Sequence, residues 1–361
     1  MKTEIVPKRR RFLKIIAGLG GGLALSGIFG NKAFAVPSFK GAVSDHFDSE
    51  KFFNPFQGAD QERGFLDVLK WQFDRKTPKG YWPEFIDDVK QTVPEQRVLK
   101  GEIRATFINH ATVLLQVDGL NIITDPVFSE RVSPVSFAGP KRHRATGVAF
   151  KDLPPIDLIL LSHNHYDHCD IDILKELQAR DNPVIFTALA NKAFLNREGF
   201  KKVKEFDWWQ GDAFKNIRVT AVPAQHFSGR SLGDRNYALW CGFMVETSVG
   251  NIYFAADTGY CPVFKEIGER FKNIRLALIP IGAYKPEWFM GPVHVSPVDA
   301  VKIHHDVGAQ ESIAIHFGTF NMADEGEGEA ERDLLKELQK PDNSGVKFLA
   351  LKNGESHSVK I

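Results

Sequence analysis

The sequence predicts a layered α/β domain with two mixed β-sheets. Three observations carry that prediction. From about Gly101 onward, short apolar segments alternate with turn residues. Segments of helical spacing are interleaved among them. One segment, Leu158–Leu161, is continuously apolar, as a strand buried on both faces must be. The 361 residues, 43% hydrophobic and 25% charged, are material for one large domain or two ordinary ones and exclude disorder, collagen and coiled coil. The 3 cysteines (Cys169, Cys241 and Cys261) exclude a disulfide scaffold, and their odd number leaves at least one free or intermolecular.

Residues 1–35 read as a signal peptide. Pro7-Lys8-Arg9-Arg10-Arg11-Phe12-Leu13-Lys14 is a basic start, Ile15 to about Phe29 is an apolar, glycine-rich middle, and Ala33-Phe34-Ala35 is a small-residue cleavage site. The apolar run is shorter than the roughly 20 residues a spanning helix needs. Arg9-Arg10-x-Phe12-Leu13-Lys14 resembles the twin-arginine export signal of bacteria, so the expected product is an exported, periplasmic protein beginning near Val36, peripheral at a membrane. An uncleaved N-terminal anchor is the alternative. The formal net charge of +1 conceals an asymmetry: residues 1–35 hold 7 Lys/Arg against one acid, and without them the net charge is −5. A mildly acidic surface argues against nucleic-acid binding by phosphate neutralisation.

Residues 36–100 are rich in Phe, Trp, Pro and charge and read as an irregular, partly helical extension lying on a main domain at 101–361. In that domain the expected strands are Thr106–Ile108, Val113–Val117 and Asn121–Thr124, with Asp118-Gly119 as the hairpin signal between the last two. Leu158–Leu161, Val184–Thr187, Ile217–Val222, Tyr237–Glu246, Ile252–Ala256, Leu276–Pro280 and Ser312–Ile315 follow. Ile171–Arg180, Pro297–His304 and Glu329–Gln339 have helical spacing. No internal repeat is visible.

The chemistry concentrates in Ser162-His163-Asn164-His165-Tyr166-Asp167-His168, directly after the buried strand. Residues two apart on extended chain point the same way, so His163 and His165 can hold one metal. Asp167 and His168, read as the start of a helix, can aim at a second. Imidazole and carboxylate suit Zn²⁺, with Fe or Mn as alternatives. Three later strand ends offer further ligands: His226 in Ala221-Val222-Pro223-Ala224-Gln225-His226, Asp257 in Phe254-Ala255-Ala256-Asp257-Thr258-Gly259, and His316 in Ala314-Ile315-His316-Phe317-Gly318. Two cations close together lower the pKa of a shared water toward neutrality and stabilise charge on phosphoryl oxygens, so no Ser or Cys nucleophile is required.

The HxHxDH cluster and the ordered His, Asp and His after it resemble the metallo-β-lactamase superfamily. Asn109-His110-Ala111-Thr112-Val113-Leu114, Thr124-Asp125-Pro126-Val127-Phe128, Gly139-Pro140-Lys141-Arg142, Asp257–Pro262, Ile279-Pro280-Ile281-Gly282-Ala283-Tyr284, Trp288-Phe289-Met290 and His316-Phe317-Gly318-Thr319-Phe320 narrow the resemblance to the N-acylphosphatidylethanolamine-hydrolysing phospholipase D family, over about residues 95–356. The resemblance implies a four-layer αββα sandwich of two mixed β-sheets with two zinc ions at one sheet edge. It assigns His163, His165 and His226 to the first zinc, Asp167, His168 and His316 to the second, and Asp257 to both, with Asp167 and Asp257 as the catalytic carboxylates. Tyr166 and His294 match substrate-contacting positions. The implied substrate is an N-acylated phosphatidylethanolamine at a membrane surface. A lactonase or phosphoesterase acting on a small soluble substrate, a β-lactamase, and a metal-binding protein without turnover are the competing readings.

Other motifs read as bland. Gly229-Arg230-Ser231-Leu232-Gly233 fits GxSxG, but an apolar strand-like run follows it where a nucleophile elbow needs a helix. His304-His305 reads as surface or packing, and His46, His143 and His357 lack ligand-type neighbours. His110, in a loop after the first strand, reads as a residue that packs or lines the site. Lys141-Arg142-His143-Arg144 reads as a solvated loop, or else as a contact for lipid phosphate.

Overall fold

The computed structural model describes residues 35–58, 63–73, 78–99 and 101–360. The segment expected from the sequence to be an export signal, residues 1–35, lies outside the described residues apart from Ala35. Among the described residues no helix is long and apolar enough to cross a membrane.

Two mixed sheets of seven strands each form the frame, flanked by helices. The first sheet holds β1 (Glu102–Asn109), β2 (Thr112–Val117), β3 (Leu120–Thr124), β4 (Leu158–Leu161), β5 (Val184–Ala188), β6 (Val203–Phe206) and β14 (Ser356–Lys360), in the order β14-β1-β2-β3-β4-β5-β6. The second holds β7 (Gly211–Phe214), β8 (Ile217–Val222), β9 (Gly242–Glu246), β10 (Asn251–Phe254), β11 (Ile274–Pro280), β12 (Glu311–Ile315) and β13 (Lys347–Leu349), ordered β13-β12-β11-β10-β9-β8-β7. The pairings repeat. Read from β14, the first sheet runs through antiparallel pairs as far as β3 and parallel pairs from β3 to β6. Read from β7, the second runs antiparallel as far as β10 and parallel from β10 to β13. A duplicated architecture is thus present with no repeat visible in the sequence, because backbone pairing constrains which positions are apolar and leaves the side chains free.

The helices are α1 (Phe65–Phe73), α2 (Ile171–Arg180), α3 (Asn191–Arg197), α4 (Val263–Arg270), α5 (Glu287–Met290), α6 (Pro297–Val307) and α7 (Glu329–Leu338). The Asp170 carboxylate caps α2 by accepting from Ile173 N at 3.3 Å; Ser296 caps α6. Helix α6 packs on β11 and between α4 and α7, while α3 packs on β5 and β6. The core is one continuous cluster fed by both sheets, with Trp240, Tyr253, Phe107, Phe186, Phe243, Phe254 and Phe264 fully buried. Asp118 and Gly119 both adopt positive φ, at 53° and 78°, as the two-residue hairpin requires.

Two expectations need adjustment. The run Tyr237–Glu246 is a strand only from Gly242. Its first half is a buried loop whose Cys241 N–H donates to the Ser162 carbonyl at 3.2 Å, because an apolar run reports burial and not pairing. Asp167 and His168 lie in a turn, and the helix starts at Ile171. The short strands β6, β7, β13 and β14 and the helices α3 and α4 lacked a decisive pattern; Val203–Phe206, for example, buries only its end residues. All three cysteines are buried and free.

Segment 36–58 contributes Phe47 and Phe52 to the main core, with Phe39 packed against them at ring distances of 5.1 and 5.4 Å. His46 lies buried on Trp208 and bonds Asp45 and Asp207 at 2.6 and 2.7 Å, so it has the carboxylate neighbours that its sequence context did not reveal. Segment 78–99 is held by backbone bonds such as Gly80 N–H to the Asp324 carbonyl and Thr92 N–H to the Gly147 carbonyl. Truncating Phe52 removes a fully buried ring and leaves a cavity. Phe52→Ala is therefore expected to lower the unfolding free energy by about 3–5 kcal/mol, measured by urea denaturation. A loss below about 1 kcal/mol would mean that the segment is not integral to the core.

Candidate metal centre

The topology explains where the polar residues collect. In each sheet the pairing changes once from antiparallel to parallel, and candidate residues follow the strands beside that change. Asp125 follows β3 and His163–His168 follow β4 at the first change; Asp257 follows β10 at the second. His226 lies beyond β8, His316 directly after β12, and His110 in the turn between β1 and β2. The exits are bent to make this convergence. His110, Asp125, Ala256 and His316 have φ of 47°, 31°, 55° and 60°, a region that residues with side chains rarely adopt. Gly282 follows β11 so closely that a Cβ there would lie 2.1 Å from the His316 carbonyl oxygen.

One group of donors is His163, His165 and His226. His163 Nε2 lies 2.9 Å from His165 Nδ1, and His226 Nε2 lies 3.3 Å from the same atom. The far nitrogens fix the tautomers. Ser162 Oγ donates to Asp125 and so accepts from His163 Nδ1 at 2.9 Å, while His226 Nδ1 donates to the Val293 carbonyl at 2.9 Å. Both Nε2 atoms therefore present lone pairs to one spot. Burial first, then neighbouring imidazoles, lowers His163 well below the ordinary histidine range. Burial likewise lowers His226 well below it and His165 to about 3, so all three rings are neutral.

The second group is Asp167, His168 and His316, with His110 beside them. Asp167 Oδ2 lies 3.3 Å from His168 Nε2, 3.4 Å from His316 Nε2 and 3.1 Å from His110 Nε2. Asp257 Oδ2 stands between the groups: 3.1 Å from His168 Nε2 and His316 Nε2, and 3.6 Å from His226 Nε2. Burial opposes ionisation of both carboxylates, but the His168 imidazole and its neighbours overcome it and hold each well below the usual range. Among the described residues no lysine or arginine pairs with either. Asp257 Oδ1 is buried without a hydrogen-bond partner, and His168 Nε2 faces only the two carboxylates. Converging lone pairs, two buried carboxylates without a lysine or arginine partner among the described residues, and an orphaned carboxylate oxygen fit cations between these side chains.

The sequence reading thus names residues that the fold brings together: His163, His165, Asp167, His168, His226, Asp257 and His316. His294 joins them, its Nδ1 3.9 Å from Asp257 Oδ2, and burial pushes it to about 4. Tyr166 donates to the Arg230 carbonyl at 3.0 Å, with the Arg230 guanidinium 4.0 Å over its ring. Within this set only His165, Tyr166 and His294 are partly exposed, which marks the open side of the centre.

Asp125 is the residue whose part was missed. It is fully buried, accepts from Ser162 N and Oγ at 2.8 and 2.6 Å, and meets His168 Nδ1 at 2.7 Å. Its signal was an aspartate ending an apolar strand beside the strand that precedes the histidines. The weighed motifs resolve differently. Arg142 is buried and donates to the Ser129 and Val127 carbonyls; Arg144 pairs with Asp88 and Glu327. Most of the donors of Arg142 and Arg144 are therefore engaged within the protein. The GxSxG segment is a loop with Leu232 exposed and no strand before it. His304 is buried in α6 and bonds Ser312 Oγ at 2.8 Å, so it is a packing residue.

A family model for the beta-lactamase superfamily domain matches residues 120–317. N-acyl-phosphatidylethanolamine-hydrolyzing phospholipase D 1 of Caenorhabditis elegans is 36% identical over 345 residues, 90% of this chain and 95% of that protein. The chain belongs to this phospholipase D family of the metallo-β-lactamase superfamily. It is a metallo-β-lactamase-fold hydrolase. The mitochondrial N-acyl-phosphatidylethanolamine-hydrolyzing phospholipase D of Saccharomyces cerevisiae is 36% identical over 66% of this chain, an alignment spanning 52% of the yeast protein. Among solved structures, an isothiocyanate hydrolase from Delia radicum gut bacteria shares the fold with TM-score 0.58 and 22% identity, over 71% of this chain and 99% of that one.

In this family member Asp125 orients His168 through the ring nitrogen that faces away from the cluster. Asp125→Asn keeps the shape but turns an acceptor toward a donor. Turnover and metal affinity should each fall about 10–100-fold with the far-ultraviolet circular dichroism unchanged. Wild-type metal retention in the variant would remove the orienting role.

Proposed function

We propose that the chain is a binuclear zinc phosphodiesterase of phospholipase D type, hydrolysing N-acylphosphatidylethanolamine to N-acylethanolamine and phosphatidic acid. Iron and manganese are the alternative occupants. The observation that carries the reading is the position of one oxygen, Asp257 Oδ2, within 3.6 Å of ring nitrogens from both donor groups. His163, His165 and His226 would hold one ion, Asp167, His168 and His316 the other, and Asp257 both. Two bound dications supply a nucleophile at neutral pH and charge stabilisation at the phosphoryl oxygens.

The chain's own residues do the rest. Asp125, Ser162 and the Val293 carbonyl hold the imidazoles in one tautomer and orientation. His294, neutral and partly exposed, offers a ring hydrogen to a phosphoryl oxygen without bringing a charge. Tyr166, pinned under Arg230, walls the open side. A lipid substrate is supported by apolar side chains left in solvent on α1: Leu66 and Phe73 are 77% and 67% exposed, and Trp71 of the same helix stacks on Phe289 at 5.0 Å.

Asp257→Asn keeps the volume and removes the charge that offsets two cations. We expect hydrolysis to fall at least roughly 100-fold, about 3 kcal/mol of transition-state stabilisation, with metal content reduced and the fold intact. Asp342→Asn, at an exposed site after α7, is the control expected to leave activity unchanged. Near-normal turnover with full metal in Asp257→Asn would defeat the binuclear reading. The substrate reading is tested separately, by offering metal-loaded protein an N-acylphosphatidylethanolamine dispersion and a soluble sugar-phosphate lactone, with and without chelator. Chelator-sensitive release of N-acylethanolamine is expected. Turnover of the lactone alone would transfer the site to small soluble substrates.

We also propose export by the twin-arginine route and cleavage after Ala35, on the pattern of Arg9-Arg10 and Ala33-Phe34-Ala35. Envelope protein should begin at Val36 by N-terminal sequencing; an intact Met1 would favour an anchor.

A further inference from the structure

The residue that would follow the cleavage site is seated in the interior. Val36 is 2% exposed, and its backbone N–H donates to Asp234 Oδ2 at 2.7 Å across 198 residues of sequence. Asp234 is itself 1% exposed. Its other oxygen accepts from Ser231 N at 2.8 Å and Arg230 N at 3.1 Å. Among the described residues no lysine, arginine or histidine pairs with this carboxylate. A buried anion held only by neutral amides lacks a countercharge, which is costly in a low-dielectric interior.

The loop that Asp234 organises leads to the metal centre. The Arg230 carbonyl accepts the Tyr166 hydroxyl, and the Arg230 guanidinium donates to the Asn164 and Cys169 carbonyls at 2.8 and 3.0 Å. Gly229 N–H donates to the Asn164 side chain at 2.8 Å, and Asn164 stands between His163 and His165. A short hydrogen-bonded chain therefore joins Val36 N to the strand exit that carries the histidines.

We propose that Asp234 is the receptor for the α-ammonium of Val36, so that removal of the signal completes the loop that walls the metal centre. The proposal rests on the processing reading above. Hydrolysis of the Ala35–Val36 peptide by a signal-removing peptidase adds one water: Ala35 leaves as a carboxylate and Val36 keeps its nitrogen as –NH₃⁺. One neutral hydrogen-bond donor becomes a cation with three donors at the same place, the missing countercharge for Asp234. The Ala35 carbonyl, which accepts from Arg197 Nη2 at 2.7 Å, departs with the signal.

The test uses the full chain with residues 31–35 replaced by an enteropeptidase recognition site, so that the same molecule is compared before and after a cut that exposes Val36. A second chain carries the site at 30–34 and is cut to begin at Ala35. Exposing Val36 should raise the thermal midpoint by at least ~2 °C and slow hydrogen exchange of the 229–231 amides at least ~10-fold. Beginning at Ala35 should do neither, and Asp234→Asn should abolish both effects. Equal midpoints and exchange before and after the Val36 cut would overturn the proposal, as would an equal gain in the Ala35 form. If Asp234→Asn fails to fold, the two cut forms decide the matter alone. Because the cut is made in vitro, this outcome is independent of N-terminal sequencing of envelope protein, which tests processing itself.

Discussion

Neutrality governs the centre of this molecule. Two carboxylates, Asp167 and Asp257, and seven imidazoles, from His110, His163, His165, His168, His226, His294 and His316, are packed together away from lysine and arginine. Imidazole lone pairs about 3 Å apart repel unless a proton or a cation stands between them, and burial works against adding protons. The direction of the titrations divides the site. His163, His165 and His226 are driven down and stay neutral, while the carboxylates lift His316 to about 9 against the effect of burial and raise His168 well above its ordinary value. Without metal, one half of the site is lone pairs facing lone pairs and the other is imidazolium facing carboxylate. Cations would relieve the first half and take the place of the imidazolium protons in the second.

The frame that enforces this packing is the duplicated sheet pair. Each sheet changes from antiparallel to parallel pairing once, and each change leaves an aspartate at a strand exit: Asp125 in the first, Asp257 in the second. The two have diverged in use. Asp257 faces the imidazoles directly, whereas Asp125 lies behind His168 and aims it. The left-handed backbone at both exits, and at His110 and His316, is a local cost that the continuous core of both sheets sustains.

What was legible in the sequence follows from the same physics. Leu158–Leu161, Ile217–Val222 and Ile171–Arg180 were read with the observed boundaries, because a strand buried on both faces and an amphipathic helix each leave a periodic signature. The histidines after β4 were legible because four ligand-type residues in six are hard to explain otherwise. Short edge strands such as β7 and β13 carry too few buried positions to register. Asp125 was illegible as a second partner of the histidines, since its importance arises from the parallel pairing of β3 with β4, which composition does not encode. His46 and His304 were read as bland and are indeed outside the centre, yet both are buried and hydrogen-bonded: a lone histidine in sequence says little about whether it is solvated.

The segment before the domain belongs to this argument too. Asn54 bonds His226 twice, its amide donating to the His226 carbonyl at 2.8 Å and its oxygen accepting the His226 N–H at 3.1 Å. Phe52 N–H donates to the Asn236 carbonyl at 2.9 Å, and Val36 reaches Asp234 in the same loop. A stretch of about twenty residues therefore touches both a candidate ligand histidine and the loop that positions Tyr166. Its Phe47 and Phe52 anchors supply the burial that keeps these polar contacts in register. The position of His226 is consequently a property of two distant parts of the chain, the exit of β8 and the segment around Asn54. The placement of one candidate ligand histidine thus depends on a region that the histidine motif alone would place outside the site.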